Sequence, residues 1–372
     1  MELNDKLKDG LKKLGINTLT AIQDQCLEPA TMGENIIGCS NTGTGKTFAY
    51  LLPVISANMD NHELYAVIIC PSKELCIQIC SQINQLSNNS DIPITAAALF
   101  GGVNVSRQLQ TLKSKPNIVV GTYQRIYELI KMKKLAAHQV KSFIIDEADS
   151  LLNKDNFDGV RELRKCFMRD IQIMCFSASM QDKTCKMAEE LSVKPFVKIF
   201  TNDRLNIPTN ISHMYFISEK RDRIELTRKV IHAIGSKPGL IFCGSKYDTE
   251  ELYQKLIFYK YNVQYLNANC DKNIRRQIIE RFKAGKTDYL ICSDVAARGL
   301  DFADIDVIIN VGLPDKPIDY LHRAGRCGRH GQESICASIV SDNELSKIKS
   351  IQKAFGTNMM QKKLYNGKIV RK

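Results

Sequence analysis

The sequence predicts an α/β protein built from two doubly wound, parallel-sheet halves, and three observations carry that prediction. The chain has 372 residues, and domains of roughly 100–200 residues are usual, so two cores fit. Short β-branched runs alternate with longer helical patterns, which is how parallel strands covered on both faces read. That alternation starts again after about residue 205.

The runs of the first half are Asn35–Cys39, Ala66–Cys70, Ile94–Leu99, Ile118–Val120, Ser142–Asp146 and Ile173–Ser177. Those of the second are His213–Ile217, Gly239–Cys243, Val263–Leu266, Tyr289–Ser293, Val307–Asn310 and Ile335–Val340. Between them the polar stretch Thr201–Asn210, which carries Pro208, reads as a linker. The predicted domains are residues 1–200 and 211–345, joined through 201–210 and followed by a basic helix and tail at 346–372. From Leu345 to Lys372 there are eight Lys or Arg and no Asp or Glu. Ile348, Ile351, Ala354 and Phe355 give that helix an apolar side. Lys362, Lys363, Lys368, Arg371 and Lys372 read equally as a solvated face or as phosphate contacts.

Composition excludes several classes. At 44% hydrophobic and 25% charged residues the chain is globular rather than disordered. No run approaches the roughly 18 apolar residues of a membrane-spanning helix. The opening Met-Glu-Leu-Asn-Asp-Lys lacks the apolar stretch of a secretory signal. The thirteen cysteines are scattered, mostly in apolar runs, and the six His lie apart from them. With no Cys-x-x-Cys, they read as reduced core thiols of a cytoplasmic protein without structural zinc. The formal net charge of +12 suits a polyanionic partner.

Chemistry gathers where strands end. The run Asn35–Cys39 leads into Ser40-Asn41-Thr42-Gly43-Thr44-Gly45-Lys46-Thr47 and then a helical pattern. The glycines let the turn wrap a phosphate, and the helix start aims amide N–H groups at it. Lys46 supplies charge for the β- and γ-phosphates and Thr47 a hydroxyl for Mg²⁺. Ser40 stands where the general pattern has Gly. The run Ser142–Asp146 ends in Asp146-Glu147-Ala148-Asp149. Asp146 would face Mg²⁺ through its water shell, and Glu147 would orient or deprotonate the attacking water. Together these elements indicate a nucleoside-triphosphate site.

The second half carries arginines instead of a second phosphate loop. Asp294-Val295-Ala296-Ala297-Arg298-Gly299-Leu300-Asp301 follows one strand, and Arg323, Arg326 and Arg329 recur at every third residue with Gly325 and Gly328 between. Planar guanidinium groups suit phosphoryl oxygens, so these arginines read as serving the site of the first half on closure. Around Lys260, Tyr259, Tyr261 and Tyr265 read either as base-stacking groups or, more commonly, as packing at a helix–strand junction.

Taken in order, these motifs resemble the DEAD-box ATP-dependent RNA helicases of superfamily 2, in particular small bacterial members with a minimal core. The resemblance also rests on Thr20-Ala21-Ile22-Gln23, Pro71-Ser72-Lys73-Glu74-Leu75, Gly101-Gly102, Thr122-Tyr123-Gln124-Arg125, Ser177-Ala178-Ser179, Leu240-Ile241-Phe242-Cys243 and Arg275 ahead of Phe282. It implies two RecA-like domains, ATP and Mg²⁺ as cofactors, and RNA-stimulated ATP hydrolysis coupled to separating short duplexes or remodelling RNA–protein complexes. By the same resemblance, Gln23 would read adenine, with Ser40, Asn41, Thr42, Gly43, Thr44 and Gly45 cradling phosphates and Asp301 meeting the ribose. Asp149, Ser177, Ser179 and His322 would couple hydrolysis to closure, and Arg326 and Arg329 would reach the γ-phosphate. Pro71, Lys73, Gly102, Thr122, Arg125, Arg275 and Ser293 would line an RNA path contacting phosphates and sugars, hence without sequence preference.

Several positions depart from the family pattern. Lys73 replaces Arg, keeping charge but losing the planar fork. Tyr123-Gln124 replaces Pro-Gly, which bears on the local turn and its backbone contacts. Ser179 replaces Thr, and Leu19 replaces Pro. No aromatic lies near position 6, where Leu3 or Leu7 could take its place on adenine. Two further readings use the same motifs: an ATP-gated RNA clamp without productive unwinding, and a DNA-directed helicase.

Overall fold

The apolar runs become strands because both of their faces are buried, which leaves pairing as the only partner for their backbone groups. The computed structural model describes residues 3–40, 43–201, 210–235, 237–243, 246–266, 270–294, 305–328 and 332–371. The chain divides into two units, Met1–Arg204 and Leu205–Lys372.

In the first unit, the described strands are β1 (Asn35–Cys39), β2 (Ala66–Ile69), β3 (Ala96–Leu99), β4 (Ile118–Gly121), β5 (Ser142–Asp146), β6 (Gln172–Ser177) and β7 (Phe196–Phe200). They form one sheet in the order β3-β4-β2-β5-β6-β1-β7, with every pairing parallel. Successive residues feed opposite cores. Ile36, Ile68, Val120, Ile144 and Met174 pack on one face, and Ile37, Val67, Val119, Ile145 and Cys175 on the other. β7 has no counterpart among the predicted strands, because Lys198 and half-buried neighbours hide its pattern at the sheet edge.

The second unit holds β8 (Ile211–Ile217), β9 (Gly239–Cys243), β10 (Val263–Leu266), β11 (Tyr289–Cys292), β12 (Val307–Val311), β13 (Ser334–Val340), β14 (Met360–Tyr365) and β15 (Lys368–Arg371). Their order is β10-β11-β9-β12-β13-β8-β14-β15, parallel except for the antiparallel β14–β15 pair.

That pair corrects the reading of the C-terminal segment as a helix and tail. The helix Leu345–Phe355 is present, buries Ile348, Ile351 and Phe355, and stops at left-handed Gly356. Beyond it the chain forms a hairpin that joins β8 through Met360 and Gln361. Its turn is Asn366-Gly367, both at positive φ, the pairing that a tight hairpin requires. Leu364 and Ile369 pack towards the core, while lysines occupy an edge where they discourage further pairing. Among the described residues, no helix is long and apolar enough to cross a membrane.

His213 of β8 is buried, with Nδ1 2.8 Å from the Tyr320 hydroxyl and Nε2 without a hydrogen-bond partner. Burial lowers its pKa from 6.5 to about 4. Between those values an unfolded chain binds a proton that the folded unit refuses, so stability falls as pH drops through the window and levels off below it. The full loss is about 3 kcal/mol. Denaturant unfolding of wild type and His213→Asn at several pH values checks this. The variant should lose that part of the pH slope; identical slopes would refute the assignment.

Candidate functional site

β1 delivers Ser40 to the carboxyl end of the sheet, and the helix Lys46–Ser56 leaves from there. Gly45 caps that helix in the left-handed region (φ 81°, ψ 29°). A Cβ there would come within 2.2 Å of Gln23 Nε2, so the position admits only glycine. The loop is braced from within: Ser40 Oγ and Thr44 Oγ1 lie 2.6 Å apart, and Thr20 Oγ1 donates to the Thr44 carbonyl at 2.8 Å. Lys46 Nζ donates to the Ser40 carbonyl at 2.6 Å. Burial of that ammonium pulls its pKa below the ordinary lysine value, with Asp146 opposing.

Gln23 is 2% exposed, and its carboxamide is already engaged at both ends. Its oxygen accepts from the Thr20 N–H at 2.9 Å and its nitrogen donates to the Gly45 carbonyl at 3.0 Å. The side chain therefore ties the start of one helix to the phosphate loop, which leaves one N–H and one lone pair for adenine. The suggestion that Leu3 or Leu7 could rest on adenine is corrected. Both are buried in the first unit's core, and Leu7 is fully covered. Asn41 and Thr42 lie outside the described residues.

β5 and β6 bring the acidic group and its partners to the same end. Asp146 Oδ2 accepts from the Tyr50 hydroxyl at 3.0 Å, and its Oδ1 accepts from the Glu147 N–H at 2.9 Å. Burial and the neighbouring Glu147 carboxylate push the Asp146 carboxyl up to about 6, against the pull of Lys46. Glu147 sits in the left-handed region at φ 49°, a strained pose for a side chain with a Cβ. Ser179 Oγ donates to Asp149 Oδ2 at 2.6 Å, and the Ser179 N–H donates to Ser177 Oγ at 3.3 Å. The methyl-less Ser179 therefore keeps the link between tetrapeptide and β6.

Comparison with known proteins identifies this arrangement. The DEAD/DEAH box helicase family matches residues 20–188, and the helicase conserved C-terminal domain matches residues 222–331. The DEAD-box ATP-dependent RNA helicase CshC of Bacillus cereus is 33% identical over 98% of this chain and 92% of its own. This chain belongs to the DEAD-box ATP-dependent RNA helicases. The probable ATP-dependent RNA helicase YfmL of Bacillus subtilis is 34% identical, over 95% of this chain and 93% of its own. In fold, the chain is similar to S. cerevisiae Dbp5 bound to RNA and ADP BeF3, with a TM-score of 0.85, 24% identity and coverage of 96% and 93%. Both parallel sheets are thus those of RecA-like domains.

In this DEAD-box protein, Lys73, Thr122 and Arg125 converge with Phe100, Gly101, Gln124 and Glu128 around a cavity of 390 Å³. Three separate segments thus bring together three of the seven residues expected to meet RNA. Exposed Gly102, at φ 74°, lies next to Gly101, and half-buried Pro71 follows β2. Arg125 differs from expectation. Its guanidinium is held by the Glu128 carboxylate (3.0 Å), Gln108 Oε1 (2.9 Å) and the Val103 carbonyl (3.3 Å). It therefore fastens the loop after Gly102, because an acid one helical turn away competes for the fork.

Tyr123, at the family's proline position, opens the helix Tyr123–Lys131. Its ring lies over Gly159, where a Cβ would come within 2.4 Å, and its hydroxyl donates to Asn156 Oδ1 at 3.3 Å. The Thr122 N–H still bonds the Leu99 carbonyl at 3.0 Å.

The second unit separates Arg323 from Arg326. Arg323 is buried and bidentate to Asp294 at 2.6 and 2.7 Å, and it donates to Asn310 Oδ1 at 3.0 Å. It is a structural clamp rather than a phosphate ligand, because its fork is filled inside the unit. Arg326 is half-buried beyond the helix Pro317–Ala324, as is His322 within it. Ser293 is half-buried after β11, whereas Arg275 is 8% exposed and offers little surface to a strand. Asp301 and Arg329 lie outside the described residues. Tyr265 packs on Tyr253 with ring centroids 5.0 Å apart, and the Tyr261 hydroxyl is 3.4 Å from His232 Nδ1, so these two fill the helix–strand junction.

Sequence reasoning missed Tyr50. Its ring is fully buried against Phe176, and its hydroxyl meets both the Thr47 side chain and Asp146. The available signal was its spacing, one helical turn after Thr47. Tyr50→Phe removes only that oxygen. Turnover should fall up to about tenfold, as for a lost hydrogen bond to a charged group, with the Mg²⁺ requirement rising and ATP affinity little changed. A steady-state Mg²⁺ titration checks this; a superimposable curve would refute it.

Proposed function

We propose that this chain hydrolyses ATP in an RNA-stimulated reaction and uses the cycle to separate short RNA duplexes or remodel RNA–protein complexes. The observation that supports it best is the meeting of Gly45, Lys46, Thr47, Asp146, Glu147 and Ser179 at the carboxyl ends of three strands of one sheet, where open α/β sheets bind ligands. The loop amides and Lys46 hold the phosphates, and Gln23 positions the loop under them. Thr47 and Asp146 offer hard oxygen donors, joined by Tyr50, and a cation would reverse the raised pKa of Asp146 itself; this donor set fits Mg²⁺. When bound with ATP, Mg²⁺ would neutralise charge on the β- and γ-phosphates. Glu147 aligns the attacking water and takes its proton.

Arg326, and Arg329 with it, would neutralise the charge developing on the transferring phosphoryl group when the two units close on ATP and RNA. Lys73, Gly102, Thr122 and Ser293 would hold the strand through phosphates and sugars. The Ser179–Asp149 bond would connect hydrolysis with that closure.

Steady-state ATP hydrolysis with Mg²⁺, with no nucleic acid, RNA, or DNA of the same sequence, tests the reading. Stimulation by RNA alone is expected, followed by displacement of a short RNA strand. Equal rates in all three would overturn RNA coupling, and stimulation without displacement would assign the chain to ATP-gated clamping.

A further inference from the structure

The helix Lys246–Phe258 ends in apolar residues that remain in water. Ile257 is 43% exposed, Phe258 79% and Tyr259 46%. The two rings meet edge to face with centroids 5.3 Å apart. The Arg228 guanidinium stands over the Tyr259 ring at 4.1 Å from its centroid. Arg228, Lys255 and Lys229 approach the Glu225 carboxylate at 2.6, 2.9 and 3.8 Å. Three cations on one anion leave this cluster with an excess of two positive charges. Lys260 adds another, held at φ 62° in a turn position where glycine is least strained.

The place of this face in the fold sets it apart from the RNA path. Tyr259–Asn262 feeds the amino end of β10, whereas Ser293 follows the carboxyl end of β11, its parallel neighbour. The face therefore sits at the opposite end of the sheet from the second unit's motif residues. A solvated ion-pair surface has no use for an open phenylalanine. A protein-docking surface would be depleted of lysine at its centre. Aromatic rings interleaved with cations match single-stranded nucleic acid, whose bases stack while its phosphates pair.

We propose that Phe258 and Tyr259, flanked by Lys229, Lys255 and Lys260, form an accessory site for single-stranded RNA, with Arg228, bidentate to Glu225, bracing the Tyr259 ring from one face. The rings stack on bases without sequence preference, and the cations hold the adjoining phosphates. The site rests on RNA being the chain's ligand. Its effect is to keep hold of a long strand while the motif residues let go of their segment in each cycle.

The full chain is tested with Phe258→Ala and Lys260→Gly. Phe258 is exposed and glycine suits the Lys260 backbone, so neither change disturbs folding. Binding is measured on a single strand of about forty nucleotides, and ATPase stimulation on one of about ten, within the 4–16 that one such site covers. Phe258→Ala should weaken long-strand binding at least fivefold, and Lys260→Gly should lower its salt dependence. Short-strand stimulation of ATP hydrolysis should stay at the wild-type value in both. Unchanged long-strand affinity in both variants overturns the site. So does self-association of wild type that Phe258→Ala abolishes without altering RNA affinity, which would make the patch a contact between copies. A wild-type chain that binds neither strand overturns the RNA reading itself, before any substitution is compared.

Discussion

Replacing Glu147 with glutamine is expected to leave ATP binding near wild type and to lower RNA-stimulated turnover by about 10²–10⁴-fold, the usual contribution of a positioned general base. Glutamine matches glutamate in shape and has the same reluctance to adopt φ 49°, so backbone and packing are preserved. What disappears is the negative oxygen that takes the water proton. The loss should also bring Asp146 back towards ordinary carboxylate values, since Glu147 is one cause of its rise. Equilibrium binding of a fluorescent ATP analogue, beside single-turnover hydrolysis, separates the two effects. Turnover within threefold of wild type would remove Glu147 from the reaction.

Arg326→Ala is expected to lower RNA-stimulated turnover by about 10³-fold, the lower end of what an arginine finger supplies, while RNA binding without nucleotide holds. The comparison that gives this meaning is Arg323→Ala. Arg323 is buried and bidentate to Asp294. Its removal should unfold the second unit more easily by about 2 kcal/mol, as for lost hydrogen bonds to a charged group, since the Asp294 left behind is 36% exposed and can be hydrated. Arg326 is half-buried, so its truncation should cost less stability than that of Arg323. Thermal unfolding and ATPase assays on both variants therefore separate a group acting on the phosphate from one that holds the fold. If Arg326→Ala hydrolysed ATP at the wild-type rate, the finger assignment would fail.

Much of this protein could be read from the residues alone because its chemistry is local. A phosphate loop needs glycines, a lysine and a hydroxyl within eight consecutive residues, and an acidic group needs only a strand to end beside it. The central strands were legible for the same reason, since burial on both faces demands unbroken apolar runs. β7 and the β14–β15 hairpin were not. At an edge one face or one side of the backbone meets water, so lysines enter and the pattern weakens. The hairpin's Asn366-Gly367 turn was a usable signal, obscured by the basic residues around it.

Which side chain meets which was beyond the sequence. Arg323, Arg326 and Arg329 look equivalent at three-residue spacing, yet Asp294, just past β11, and Asn310, within β12, converge on the first of them. Arg125 reads as a phosphate ligand until Glu128 and Gln108 take its fork. Tyr50 becomes part of the site only because β5 lies where its hydroxyl can reach Asp146. The sequence by itself determined the family, the fold class and the reacting groups, since those follow from residue type and short spacing. Tertiary structure decided which polar groups remain available to a ligand, because a hydrogen bond formed across strands is set by packing that no local pattern records.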